Sequence, residues 1–192
     1  MGGSRTVKTL TALLAAMTLG ALALMVLETE PVRPTAEPLA VFRPPPAGAA
    51  RVIHDTRVPL QAIQWRYMVV HASRLRSSET AKKCHFLVEA DGEDAWKVTA
   101  TDHWLDQREG GHIGGFWQDS SIGICLIGDF SRRRPAPGQF ACLIDLVNAL
   151  QKECRISADR VYLHSDLVAR SSLPGAAFPA AEFSDQLLRP QR

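Results

Sequence analysis

The stretch SIGICLIGDF, residues 121–130, decides how the rest of the chain is read. It runs apolar with little alternation, the pattern of a strand buried on both faces. Soon after it, PGQFACLIDLVNALQKEC (residues 137–154) sets Phe140, Leu143, Ile144, Val147 and Leu150 at helical spacing, with Pro137 at the start. A buried strand followed by an amphipathic helix is a building unit of an α/β domain.

Upstream, WRYMVVH (65–71) is β-branched and aromatic enough for a strand. CHFLVEA and AWKVTAT read as two strands around the turn DGED (91–94). Downstream, DRVYLHSD is a short strand ending in His164, and PAAEFSDQLL (179–188) is a closing helix. The expected fold class is therefore α/β, in a single domain over residues 59–192.

The N-terminal part differs. Arg5 and Lys8 precede an uncharged apolar run over residues 9–27, long enough to span a hydrocarbon core. The basic flank predicts an N-inside orientation. Two readings of residues 1–27 stay open: a retained signal anchor, or a signal peptide cleaved near Ala21–Ala23. Either predicts an extracytoplasmic domain, anchored or secreted. Residues 28–58 are rich in Pro and Ala without periodicity and read as a semi-rigid spacer.

A formal net charge of +2, with no basic stripe interleaved by aromatics, argues against a nucleic-acid partner. SRRRPAP (131–137) reads as a solvated loop. The four cysteines show no framework of close spacings. Cys142 and Cys154 lie too far apart along one helix to bridge.

His71 and His164 each follow a strand-like run. Strand ends are rigid platforms that face clefts, where metal ligands and catalytic bases are placed. Taken singly, such a histidine is more often a hydrogen-bonded structural residue. His112, in GGHIGG, sits in a loop that permits close backbone approach to a ligand. His85 directly follows Cys84, so in a strand the two side chains point to opposite faces and form no catalytic pair.

WRYMVVHAS, CHFLV, GGHIGGFWQDSSIGICLIGDF with PAPGQFACLIDLVNAL, and DRVYLHSD…LPGAAFP occur in this order. In this the chain resembles the zinc-dependent N-acetylmuramoyl-L-alanine amidases, a family that includes amidase-type phage lysozymes and peptidoglycan recognition proteins. The resemblance implies a mixed central β-sheet flanked by helices. It implies a peptidoglycan partner, the muropeptide stem, whose lactyl amide the family cleaves or simply binds. It places the first two zinc ligands on His71 and His164 and the third on Leu173, which cannot donate. It puts the family's catalytic tyrosine on Cys84 and another catalytic position on Ser171. Only one helical turn fits between His71 and the Cys84-His85 strand.

From these substitutions we expect a peptidoglycan-binding module with a decayed zinc site and Zn2+ bound weakly or not at all, with His112 and Asp166 as substrate-binding residues. The alternative is an active zinc amidase whose third ligand is rearranged, drawn from Cys84, Asp166 or His112. An interaction domain of the same fold without a cell-wall ligand is a third reading. Leu173 packed over His71 and His164 is expected to fill the metal cavity.

Overall fold

The computed structural model describes residues 48–189 except 75–77, 82, 93 and 94, together with residues 7, 8, 10, 11 and 15–18. The chain divides into two compact units, Met1–Arg43 and Pro44–Arg192. Among the described residues no helix is long and apolar enough to cross a membrane. Most of the apolar run at 9–27 lies outside the described residues, as does most of the expected spacer.

The second unit is built on five strands. They are β1 (Tyr67–Ser73), β2 (Phe86–Ala90), β3 (Trp96–Ala100), β4 (Ser121–Ile127) and β5 (Val161–Leu163). Their spatial order is β3-β2-β4-β1-β5. Only β2–β3 is antiparallel; β4 runs parallel to both its neighbours, and β5 runs parallel to β1. The sheet is therefore mixed. β4 sits at its centre, which explains why its sequence is apolar at nearly every position.

The two faces of that central strand do different things. Ile122, Ile124 and Leu126 join Met68, Val70 and Ala72 of β1 in the main core. Against this face packs α4 (Pro137–Cys154), which buries Phe140, Leu143, Ile144, Leu146, Val147 and Leu150. The helix opens on Pro137, whose missing N–H costs nothing in the first turn, and its C-cap is Arg155 in the left-handed region. Gln139, buried within it, donates to the carbonyls of Val88 within β2 and Ile127 at the end of β4, at 3.2 and 3.0 Å. The opposite face of β4 presents Ser121, Gly123 and Cys125, and beside them on β1 stands His71.

Short helices complete the unit: α1 (Gly48–His54), α2 (Ser78–Ala81), α3 (Asp102–Leu105), α5 (His164–Leu167) and α6 (Ala180–Asp185). α2 is the single turn expected between β1 and β2. Two boundaries differ from the sequence reading. α1 lies inside the stretch read as spacer; its Ile53 is buried in the core and its carbonyl accepts from Trp104 Nε1 at 3.0 Å. The folded unit thus starts before residue 59. His164 opens α5 rather than ending β5, which stops at Leu163.

Candidate functional site: a histidine-walled cleft above two buried thiols

Register places the first functional side chain. His71 pairs with Cys125 across β1 and β4, and Leu87 of β2 pairs with the same cysteine from the other side. Cys84 precedes β2 and turns its sulfur toward this point: Cys84 Sγ lies 3.2 Å from His71 Nε2. The donor atoms of His71, Cys84 and Cys125 all lie within 4.8 Å of one another. Both cysteines are fully buried, and all four cysteines are free thiols. The Cys125 thiol is drawn below the usual thiol range, chiefly by its hydrogen bond with Cys84 and further by His71. Cys84 is pushed up by that same partner and by burial. His85, which like Cys84 lies just ahead of β2, packs on Trp65, Trp104 and the His112 ring.

His71 also faces a cleft of about 300 Å³. His112, His164, Leu173, Glu79 and Lys83 share its wall. The His71 ring lies 6.2 Å from that of His112, nearly parallel, and 6.1 Å from that of His164. His164 is held from behind by Ser171, whose Oγ is 2.7 Å from His164 Nδ1 and also accepts from the Leu173 N–H at 3.2 Å. Burial, and then His71, push the His164 pKa down.

His112 and His85 are the buried pair beneath the cleft. His112 Nδ1 lies 3.2 Å from the Lys83 carbonyl, and its Nε2 lies 2.9 Å from the Ser121 hydroxyl, which itself donates to the Trp117 carbonyl. His85 Nε2 donates to the Arg108 carbonyl, and its Nδ1 accepts from the Gly123 N–H, both at 2.9 Å. Burial lowers the pKa of His112 to about 2 and that of His85 to about 3. Both are therefore neutral rings with fully used nitrogens.

Gly123 explains why His112 fits at all. A Cβ there would lie 2.4 Å from His112 Cγ, well inside contact distance. A glycine in a central strand commonly marks such a close approach. Gly123→Ala is expected to destabilise the domain by about 1–3 kcal/mol, the range for overpacking a tight site. The measurement is the denaturant midpoint; an unchanged midpoint would show that the ring can move aside.

The last motif is anchored rather than draped. Leu173-Pro174 is cis, Gly175 has φ +136°, and a Cβ at Gly175 would meet the Phe130 carbonyl group at 2.5 Å. Ala177 N–H donates to the Phe130 carbonyl at 2.9 Å. This fixes Leu173 at the cleft rim, 36% exposed. The expected leucine plug is corrected: the side chain shares the wall of an open cleft with both histidines and does not fill the space between them.

The family zinc set suggested by the sequence does not fit these residues. His71 and His164 offer two nitrogens, and Leu173 offers nothing. His112 cannot complete the shell, because both its nitrogens are engaged inside the fold. Asp166 is also corrected as a ligand or substrate contact: it is exposed, is not among the cleft residues, and its Oδ2 accepts from the Leu163 N–H at 2.8 Å. A tetrahedral catalytic zinc needs three protein ligands and an open position. Sequence reasoning missed Cys125, Glu79 and Lys83. Cys125 lies in an apolar run, and only strand register brings it to His71.

Residues 47–176, more than half of the chain, match the N-acetylmuramoyl-L-alanine amidase family. Among solved structures, an endolysin N-acetylmuramoyl-L-alanine amidase, LysCS from Clostridium intestinale URNW, is similar at 20% identity and a TM-score of 0.54, over 65% of this chain and 84% of that one. AmpDh3 from Pseudomonas aeruginosa, in complex with an anhydromuramic pentapeptide, gives 23%, 0.52, 64% and 60%. AmiD from E. coli, with the substrate anhydro-N-acetylmuramic acid-L-Ala-D-gamma-Glu-L-Lys, gives 22%, 0.50, 69% and 62%. At these identities the likeness is one of fold. No curated protein matches the chain.

Proposed function

The chain belongs to the N-acetylmuramoyl-L-alanine amidase family, and from that premise we propose that it is a peptidoglycan-binding module whose cleft takes the muropeptide stem without cutting it. The observation that carries this reading is Leu173 at the rim, where the family pattern has a ligand, beside His71 and His164. A two-ligand site lacks the chelation that holds zinc, and with it the polarised carbonyl and activated water on which metal-assisted amide hydrolysis depends. The family's tyrosine position is Cys84, which is sealed from the cleft and cannot donate to a developing oxyanion there.

What remains suits recognition. His71 and His164 offer polar edges to amide groups of a stem. Lys83, exposed at the cleft, offers an ammonium to a stem carboxylate. Two of the similar structures hold muramyl peptides, which supports the same ligand class here. The apolar segment at residues 9–27 supports a cell-envelope location, anchored in the membrane or secreted.

A second reading, hydrolysis by a rearranged zinc set, draws on the 3.2 Å approach of Cys84 Sγ to His71 Nε2. Burial weighs against it. Neither Cys84 nor Cys125 lines the cleft, so an ion held by them would lie behind the wall rather than against a substrate amide.

Co-sedimentation of the full chain with purified insoluble peptidoglycan tests the proposal. The protein should pellet with the wall polymer, and a soluble muramyl peptide should release it. Protein left wholly in the supernatant would sink the binding reading and favour an interaction domain with no wall ligand.

A further inference from the structure

We propose that His71 Nε2, Cys84 Sγ and Cys125 Sγ form a zinc site behind the cleft wall, using His71 but not His164. No step of the binding reading requires this site, and its failure would leave that reading standing. The argument starts from distance. Zinc binds sulfur at about 2.3 Å and imidazole nitrogen at about 2.0–2.1 Å, so the donors of a tetrahedral site stand on the order of 3.5–4 Å apart. Here the nitrogen and one sulfur are 3.2 Å apart, and all three donors lie within 4.8 Å. Small side-chain shifts suffice to close them on one ion.

The backbone already fixes the set. His71 and Cys125 are direct partners in neighbouring parallel strands. Cys84 is held just ahead of β2: its carbonyl accepts from Thr101 Oγ1 at 2.5 Å, and the following residue's N–H donates to the Gly123 carbonyl at 2.8 Å. Donors from two strands and from the segment ahead of a third converge, a geometry no single sequence motif announces.

Charge selects the ion. Two thiolates and a neutral imidazole around Zn2+ sum to zero net charge, which a fully buried position tolerates. The same donors around Cu+ leave one uncompensated negative charge in the interior. Thiolate ligands in turn favour zinc over hard, oxygen-seeking cations such as Mg2+ and Ca2+. Three protein ligands leave one position of a tetrahedral ion for a water molecule.

X-ray absorption at the zinc edge on the full chain, purified under reducing conditions and loaded with zinc, tests this without any variant. The expected result is one zinc per chain with two sulfur neighbours at about 2.3 Å. A shell of nitrogen and oxygen alone, no bound zinc, or cuprous ion bound while zinc is refused would each overturn it. Cobalt loading gives a second readout. The sulfur-to-cobalt charge-transfer band should lose at least half its intensity in Cys125→Ser and keep it in His164→Ala. A band unchanged in Cys125→Ser but lost in His164→Ala would place the ion on His164 with Cys84 and contradict the proposal. Circular dichroism of metal-free Cys125→Ser establishes that a weakened band reflects a lost ligand, and the wild-type absorption result decides the matter if that variant does not fold.

Discussion

Lowering the pH from 6.5 to 4 should strip the domain of several kcal/mol of stability through two buried histidines, His85 and His112, a large share of a small domain's total. In the fold both rings are neutral, with pKa values held near 3 and 2 by burial. In the unfolded chain they return to about 6.5. Above that value neither state takes a proton, and the stability is fully present. Below it the unfolded chain binds protons that the fold refuses, so stability falls as pH falls, until the folded values are reached. Each ring contributes about 1.4 kcal/mol per pH unit, and the two together about 3.

Hydrogen bonding supports the sign at His85. Its Nδ1 accepts from the Gly123 N–H, so a proton there would set donor against donor. Urea denaturation at several pH values measures the effect, and His85→Gln should roughly halve the slope between pH 6 and 4. A stability flat across that window would mean that both rings take up protons in the fold.

Trp104→Ala should cost about 3–5 kcal/mol, the range for removing a large buried aromatic. Trp104 is fully buried. Its ring lies 4.6 Å from Phe86, 5.9 Å from Trp65 and 6.3 Å from His85. Its indole N–H donates to the Ile53 carbonyl, so it also ties α1 to α3. The truncation leaves a cavity between these rings and one carbonyl without its partner. Trp104→Phe, which keeps most of the volume and loses only the N–H, should cost markedly less. Thermal melts of the two variants check this. Equal losses would show that the hydrogen bond, rather than packing, carries the effect.

These residues also show where the sequence was readable. β4 and α4 follow from apolar pattern alone, because a central strand and the helix packed on it obey strong periodicities. His71 and His164 stood out as histidines after strand-like runs, and both do face the cleft. α1 was hidden by the Pro- and Ala-rich composition around it, and only burial of Ile53 marks it as part of the core. Cys125 was unreadable for a different reason. A cysteine in an apolar run looks like filler, and its approach to His71 depends on the pairing of strands far apart in the chain. The resemblance puts a family ligand position on Leu173, and the loop that carries it is held against the Phe130 backbone by Gly175 and Ala177. Asp166 looked like a site acid and serves as a cap, a role decided by the turn at Leu163.

The measurement closest to the central claim is release of stem peptide from purified peptidoglycan by the full chain, with zinc added and with chelator added. The account predicts that the protein is retained on the polymer in both conditions and that no stem peptide appears in either. Zinc-dependent release abolished by the chelator would contradict it, and would mean that this fold cuts the amide despite Leu173.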